Sequence, residues 1–115
     1  MNCLSRIMAS AVLILCAPVA AIAAGTDDTR PAEFKNADSE LNSVYRKLMK
    51  ELRPPDREKL KASQLIWLKL RDADCKWAFP AEPLDCMIDR TSNRTRELQG
   101  TLFEAVDGKY REVSK

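Results

Sequence analysis

The stretch SQLIWLKLRDADC, residues 63–75, combines groups that could do chemistry with a largely apolar setting. Its polar members are Gln64, Arg71, Asp72 and Asp74, and it ends in Cys75. Two carboxylates can act as general acid and base when both face one cleft. On a helix, however, the two-residue spacing of Asp72 and Asp74 points them in different directions. The stretch therefore does not indicate a carboxylate-pair catalyst.

Other catalytic groups are scarce in this chain. It contains no histidine, which is the usual general base near neutral pH and the commonest metal ligand. A helical protein of 115 residues also offers little room for a cleft. We therefore predict that the protein is not an enzyme, and we expect neither a metal nor an organic cofactor.

The N-terminal residues predict a secretory signal peptide. Arg6 gives it a positive start, an apolar run covers about 7–19, and Ala21 and Ala23 stand at the small-residue positions before a cut. The run is shorter than the roughly 20 residues that span a bilayer, so we expect no membrane span. We predict a signal peptide over 1–23, cleavage near Ala23, and a periplasmic or secreted product.

The four cysteines divide between the signal peptide and the mature chain. Cys3 and Cys16 leave with the signal peptide. Lipid attachment to Cys16 is disfavoured, because Leu15 stands where lipoprotein processing requires a small residue. The remaining pair, Cys75 and Cys86, predicts one disulfide in an oxidising compartment, with two free thiols as the alternative. Oxidation would remove thiol nucleophiles and thiolate metal ligands.

The charge of the mature chain is close to balanced. The sequence carries 19 Lys and Arg against 17 Asp and Glu, and loss of Arg6 leaves 18 against 17. Nearly every basic residue has an acidic neighbour within a few positions, so no basic patch follows the chain. Because nucleic-acid binding rests on such patches, we expect no nucleic acid as a partner.

Apolar residues recur at three- and four-residue steps from residue 37 onward and predict three helices. The predicted helices cover about 38–52, 56–78 and 86–106. The first ends before Pro54, and Gly108 closes the third. A proline-containing loop at 79–84 separates the second from the third. Short connections make consecutive helices antiparallel.

No stretch of useful length alternates with period two, so the sequence predicts an all-α protein. It is expected to be a small antiparallel three-helix domain whose second and third helices form a hairpin stapled by the disulfide. We place this domain at 37–106. A flexible leader at 24–36 precedes it, and a charged, frayed C-terminal tail at 107–115 follows it.

Helix two carries polar residues on its expected inner face. Gln64, Trp67, Arg71, Asp74 and Cys75 share that face at helical spacing, and Asp72 lies to the side of it. An arginine in such a place needs acids or carbonyls around it. Candidate partners are Asp38 on helix one and Thr91, Arg94 and Glu97 on helix three. We interpret these residues as a structural network that fixes the register of the helices, with a direct binding role as the alternative.

Helix two is also apolar on its other sides. Its further apolar residues are Leu65, Ile66, Leu68, Leu70, Ala73 and Trp77, of which Ile66, Ala73 and Trp77 are expected to widen the inner stripe. A three-helix hairpin cannot bury so much of one helix. The excess predicts that leader and tail cover it or that the protein forms a homodimer through helix two.

Residues spread over all three predicted helices resemble a known family. They are Ala37, Asp38, Leu41, Asn42 and Tyr45, then Ser63, Gln64, Trp67, Arg71, Asp72, Ala73 and Cys75, then Cys86, Thr91, Arg94 and Leu98. The pattern, with QxxWxxxRDAxC as its most specific part, resembles the lysozyme inhibitor LprI-like family of secreted bacterial proteins over about 37–98. The resemblance implies a small helical protein of the envelope. Many relatives carry further cysteines, which this mature chain lacks.

The resemblance also implies a function. The named family member inhibits lysozyme, so we expect a protein partner, a lysozyme or another peptidoglycan hydrolase. The alternative is a non-enzymatic envelope interaction or immunity-like module with another periplasmic partner. For an inhibitor we place the binding loop at 79–85, where Glu82 and Asp85 would meet the cationic surface of a lysozyme. Phe79 and Leu84 are the expected apolar anchors.

Overall fold

The computed structural model describes residues 27–113, in which three helices form the body of the protein. Helix α1 covers Arg30–Glu51, α2 covers Pro54–Ala78 and α3 covers Pro83–Gln99. Two short strands follow, β1 at Phe103–Glu104 and β2 at Tyr110–Arg111. The predicted all-α class with three helices is confirmed, and a small hairpin is added to it.

Each of the three helices has a proline in its first turn, at Pro31, Pro54 and Pro83. Proline fits there because the first backbone N–H groups of a helix have no partner within it. The Pro54–Pro55 pair also holds Arg53 in an extended conformation, with ψ of 151°. As a result the chain reverses between α1 and α2 within two residues.

The first helix begins earlier than the sequence predicted, at Arg30 instead of about 38. The expected flexible leader at 24–36 is therefore helical over its second half. The physical reason is Phe34, which packs against the apolar cluster around the disulfide. Its ring also lies against the guanidinium of Arg71. These contacts hold the first turns of α1 onto the rest of the protein.

The third helix ends at Gln99, and the prediction that it continues to about 106 was wrong. The chain turns back after Gly100 and forms an antiparallel hairpin. Its strands pair Phe103 with Arg111 and Glu104 with Tyr110. Gly108 lies in the turn of this hairpin with φ of 76°, a left-handed conformation that glycine adopts without strain. It does not close a helix.

The hairpin contributes to the core. Phe103, Ala105 and Val113 are buried, and Ala105 forms a β-bridge with the connection between α1 and α2. The expectation of a frayed tail is therefore wrong for residues 107–113, which hold β2 and one core side chain. Leu102, which helical spacing placed inside, is 65% exposed.

Helices α1 and α3 run in the same direction and pack against each other most extensively. At one end Arg30 of α1 lies beside Glu82 and Asp85 at the start of α3. At the other end Leu48 of α1 shares a cluster with Leu98 of α3. Helix α2 runs the opposite way alongside α3, so consecutive helices are antiparallel as predicted. None of these helices is both long and apolar enough to span a membrane.

Two apolar clusters fill the interior of the described part of the chain. The larger one comprises Leu41, Val44, Leu48, Leu52, Leu98, Phe103, Ala105 and Val113. The smaller one comprises Cys75, Cys86 and Met87, with Phe34 and Leu84 packed against it. Trp67 packs against the larger cluster and Phe34 against the smaller. Both rings contact Arg71, which therefore lies between the two clusters.

Candidate functional site

Arg71 is the centre of a polar network inside the three helices. Its side chain is 7% exposed. Nε donates a hydrogen bond to Oδ1 of Asp72 at 2.8 Å, and Nη1 donates one to Oγ1 of Thr91 at 3.1 Å. Oδ1 of Asp38 lies 3.7 Å from the same Nη1. One guanidinium therefore connects α1, α2 and α3.

Two aromatic rings accompany the guanidinium of Arg71. Its Cζ atom lies 5.1 Å from the ring centroid of Phe34 and 5.4 Å from that of Trp67. Both distances lie in the range of cation–π attraction. Because a guanidinium is planar, it can stack on rings while its N–H groups donate at the edge. Lysine would not reproduce this combination.

Arg94 extends the network along α3. Its Nε donates a hydrogen bond to Oε1 of Gln64 at 3.1 Å, and its Nη1 donates one to Glu97 at 3.1 Å. Its Cζ atom lies 5.8 Å from the ring centroid of Trp67. The indole of Trp67 thus contacts two guanidinium groups, of which that of Arg71 is the more buried.

The polar groups of this network have partners. Within residues 27–113 every fully buried side-chain nitrogen or oxygen makes a hydrogen bond. Thr91 accepts from Arg71, and the hydroxyl of Thr95 donates to the carbonyl oxygen of Thr91 at 3.1 Å. A network of this kind specifies one arrangement of the helices, because any shift would leave a buried polar group without a partner. Its role as the lock on helix register stays a prediction.

The other residues of the sequence motif lie around this network. Asn42 donates from Nδ2 to Oδ2 of Asp38 at 3.2 Å and so helps to orient the carboxylate that faces Arg71. Tyr45 is half-buried and packs against the larger apolar cluster. Asp74 forms an ion pair with Arg90 of α3. The structure therefore brings most of the motif residues to one region, whereas Ser63 and Ala73 lie on the exposed side of α2.

The predicted disulfide between Cys75 and Cys86 is confirmed, and it joins the last turn of α2 to the first turn of α3. Their Cα atoms lie 5.6 Å apart, within the ordinary range for a disulfide. Cys75 is fully buried and Cys86 nearly so. The pair is therefore a structural element, shielded from solvent and closing the loop that carries the candidate binding residues.

The candidate binding residues lie where α2 ends and α1 and α3 begin. Phe79 is 53% exposed, and the carboxylates of Glu82 and Asp85 are exposed as well. Leu84 is half-buried against the disulfide cluster. Because α3 begins at Pro83, both Leu84 and Asp85 belong to its first turn.

An arginine that the sequence did not single out contacts this surface. Nη1 of Arg30 lies 3.3 Å from Oε1 of Glu82 and 3.8 Å from Oδ2 of Asp85. Its Nε donates a hydrogen bond to Asp28 at 2.8 Å, and this bond lowers the pKa of the Asp28 carboxyl. Three carboxylates thus surround one guanidinium, and this end of the molecule has a local excess of negative charge.

Trp77 is a second residue that sequence reasoning misplaced. It lies in the last turn of α2, two residues before Phe79, and it is 81% exposed. The expectation that Ile66, Ala73 and Trp77 widen the inner stripe was wrong, since all three are exposed. Their position on the helical wheel, opposite Gln64, is the signal that would have shown this.

A cavity of about 420 Å³ lies at the other end of the molecule, between the end of α1 and β2. It is lined by Lys47, Lys50, Glu51, Arg111, Glu112 and Val113. Arg111 pairs with Glu51 at 3.3 Å, so opposite charges on its wall already satisfy each other. Within residues 27–113 no three His, Cys, Asp or Glu side chains converge as metal ligands would.

These features define a class of protein. It is a small helical protein in which one disulfide joins α2 to α3 and a buried polar network contacts all three helices. A family model described as Lysozyme inhibitor LprI matches residues 16–98, well over half of the chain, and the chain belongs to that family. The match covers nearly all of the three helices. Comparison with curated proteins gave no match, and neither did comparison with solved structures.

Proposed function

We propose that this protein is a secreted envelope protein that binds and inhibits lysozyme-type peptidoglycan hydrolases. The observation that carries the proposal is the family match over residues 16–98, since the family is described as a lysozyme inhibitor. The family is one of inhibitors, and its function implies a protein partner. The satisfied network around Arg71 supports a role in binding, because it supplies a rigid scaffold and no reactive group.

The surface we assign to the hydrolase is the segment from Phe79 to Asp85. Glu82 and Asp85 present carboxylates to solvent, and a cationic enzyme surface would pair with them. Phe79 supplies an exposed apolar anchor next to them. Leu84, which the sequence suggested as a second anchor, packs against the disulfide cluster and supports the segment from beneath.

The near-neutral net charge of the chain does not weaken this assignment. Association with a charged partner is guided by local potential as well as by total charge. Asp28, Glu82 and Asp85 lie around the single guanidinium of Arg30, which leaves this end negative. A basic hydrolase would therefore approach the molecule at this end.

The proposed compartment is the periplasm or the cell exterior. The predicted signal peptide at 1–23 lies outside the described residues and stays a prediction. A buried disulfide between Cys75 and Cys86 supports an oxidising compartment, because such bonds persist there and are rare in the cytosol.

The test is a turbidity assay with peptidoglycan as substrate and a panel of lysozymes. Mature, oxidised protein should inhibit at close to one equivalent of enzyme, and inhibition should saturate. The double variant Glu82→Gln/Asp85→Asn should lose at least tenfold in inhibition, while circular dichroism keeps the helical signal. The matched control, Glu58→Gln/Glu112→Gln, removes two exposed acids outside the segment and should inhibit like the unaltered protein.

Two results would overturn parts of this proposal. Equal inhibition by both double variants would overturn the assignment of the binding surface to the segment from Phe79 to Asp85. No inhibition of any lysozyme by the unaltered protein would overturn the inhibitor function itself. The alternative would then stand, an envelope interaction or immunity-like module with another periplasmic partner, and capture of a single protein from periplasmic extract would support it.

A further inference from the structure

The outward side of α2 carries a continuous apolar stripe. Its members are Ser63, Ile66, Leu70, Ala73 and Trp77, which follow one another at steps of three, four, three and four residues. We call these five residues the outer seam. All five are exposed, with Ile66 at 68%, Leu70 at 58% and Trp77 at 81%. The seam lies opposite the buried side chains of Gln64, Arg71 and Cys75.

Alternating steps of three and four residues are typical of helices that pack along each other as a coiled coil. No residue between 27 and 113 covers the outer seam, as the exposure of its members shows. Its three large side chains, Ile66, Leu70 and Trp77, form one exposed apolar patch, and the largest such patch on a protein is often an interaction site.

The charges beside the seam favour a second copy of this chain in parallel orientation. In heptad terms Ser63, Leu70 and Trp77 are a positions, Ile66 and Ala73 are d positions, Lys69 is a g position and Asp74 is an e position. In a parallel pair each g residue faces the e residue five positions later on the other helix. Lys69 therefore meets Asp74 of the second copy, twice by symmetry. An antiparallel pair would instead bring Lys69 towards Lys76.

The sizes of the seam residues also fit a parallel pair. Helical side chains lean towards the N-terminus of their helix, so Trp77 extends over the layer of Ala73. The small Ala73 leaves room for the two indoles that a parallel pair brings together. Asp74 pairs with Arg90 of its own α3 but keeps about a third of its side-chain surface exposed, at 32%. It therefore remains within reach of a lysine from another copy.

We propose that two copies of this protein associate through the outer seams of α2 as a parallel two-helix coiled coil. The interface lies on the helix side that faces away from α1 and α3, so it uses none of the buried network. The dimer does not depend on the proposed inhibition, because it forms from this chain alone and is measured without any hydrolase.

The first experiment measures mass in solution by sedimentation equilibrium, with mature oxidised protein over a wide concentration range. The unaltered protein should reach twice the monomer mass. Leu70→Glu places a charge in the middle of the seam and should weaken association at least tenfold. Leu102→Glu is the matched control, since Leu102 is similarly exposed but lies outside α2, and it should dimerise normally.

Two single-cysteine variants test the orientation. In a parallel pair Ser63→Cys and Ala73→Cys each face their own symmetry mate, so both should form a disulfide-linked dimer on mild oxidation. In an antiparallel pair no more than one position can lie at the symmetry axis. Cross-linking at one position alone, or at neither, would therefore overturn the parallel arrangement.

Other outcomes would overturn the dimer itself. They are a monomer mass at all concentrations, or equal weakening by Leu70→Glu and Leu102→Glu. If the protein is a monomer and Leu70→Glu loses lysozyme inhibition, the outer seam is instead a surface that binds the hydrolase. Loss of inhibition without loss of the dimer in the Glu82→Gln/Asp85→Asn variant would keep the two surfaces separate.

Discussion

Nη1 of Arg71 donates a hydrogen bond to Oγ1 of Thr91 at 3.1 Å, in a place where Thr91 is completely buried. The bond connects residues 20 positions apart and lies between α2 and α3. Together with the disulfide and the bond from Arg94 to Gln64, it joins α2, the least extensively packed helix, to α3. Phe34 and Trp67 flank it, so water has little access to the pair.

We predict that Arg71 and Thr91 contribute to stability as a unit. Arg71→Ala should lower the free energy of unfolding by about 3–5 kcal/mol, because it leaves the buried Thr91 without its donor and a cavity beside Phe34 and Trp67. Thr91→Val should cost about 1–3 kcal/mol, since it leaves an N–H of the guanidinium unpaired. The double variant should cost less than the sum, with a coupling of about 1–2 kcal/mol. Urea unfolding followed by circular dichroism measures all four proteins.

The control for this cycle is Arg90→Ala, which removes a half-exposed partner of Asp74 on the same pair of helices. Exposed ion pairs contribute about 0–1 kcal/mol, so this change should be small. Strict additivity of Arg71→Ala and Thr91→Val would contradict the idea of a coupled network. An equal loss of unfolding free energy in Arg90→Ala and Arg71→Ala would also contradict the idea of a coupled network.

The disulfide should supply a large share of the stability of this small protein. Cys75 and Cys86 are separated by 11 positions, and closing a loop of that length contributes about 2–3 kcal/mol by the chain-entropy estimate. Reduction should therefore lower the free energy of unfolding by this amount, which is observed as a lower urea midpoint. A Cys75→Ala/Cys86→Ala variant serves as control, because reductant should leave its midpoint unchanged. An equal midpoint for the oxidised and reduced proteins would rule out a stabilising role.

Helical spacing in the sequence predicted the part of the fold that depends on local pattern. The stripe of Leu41, Val44 and Leu48 and the helix-ending prolines located α1 and α2. The buried Arg71 was predictable too, because it shares a helix face with Gln64. The parts of the fold that were not predicted depend on contacts between residues that are distant in the sequence, which no local pattern encodes.

Four residues and the two short strands show why those parts could not be predicted. Phe34 draws the leader into α1 only because the disulfide cluster and Arg71 offer it a place to pack, and both are some 40 residues away. Leu102 and Ala105 happened to continue the three-and-four spacing of α3, although the chain turns back after Gly100. Strands of two residues are too short for a period-two pattern to appear. In the candidate site, Arg30 was missed because two of its partners, Glu82 and Asp85, are distant in the sequence.

Adjacent residues at the start of the hairpin provide a test of its place in the core. Phe103 is 6% exposed and Leu102 is 65% exposed. Phe103→Ala should cost about 3–5 kcal/mol of unfolding free energy, because it leaves a cavity in the larger cluster. Leu102→Ala should change it by about 0.5 kcal/mol or less. The reverse order would support a continuous helix through this segment, since helical spacing places Leu102 inside.

Stability should be nearly constant near neutral pH and should fall in acid. The pKa of Asp28, of Asp56 and of Asp107 lies below the ordinary value of 3.8, in each case mainly because a neighbouring arginine donates a hydrogen bond to the carboxylate. Below pH 3.8 the unfolded chain therefore binds more protons than the folded one, and stability falls as pH falls through the lowered values. With no histidine, little should change between about pH 5 and 8.

Urea midpoints measured from pH 8 down to the acid range check this expectation. Asp56→Asn removes one of the three carboxyls with a lowered pKa. The variant should therefore lose less unfolding free energy in acid than the unaltered protein. Glu58→Gln, an exposed neighbour on the same helix, serves as the comparison. A drop in stability between about pH 5 and 7 would show that some other group controls the response.

Arg30 should compete with a hydrolase for the carboxylates of the binding segment. In the free protein its guanidinium lies 3.3 Å from Glu82 and 3.8 Å from Asp85, so a cationic partner must displace it. Exposed pairs of this kind contribute about 0.2–1 kcal/mol, and Arg30→Gln should therefore tighten inhibition about 2–5-fold at low salt. The gain should shrink as ionic strength rises, because salt screens exposed charges.

Arg111→Gln, which removes the partner of Glu51 at the opposite end of the molecule, is the matched control, and its inhibition should equal that of the unaltered protein. Weaker inhibition by Arg30→Gln would instead show that Arg30 holds the two carboxylates in the arrangement that the hydrolase binds.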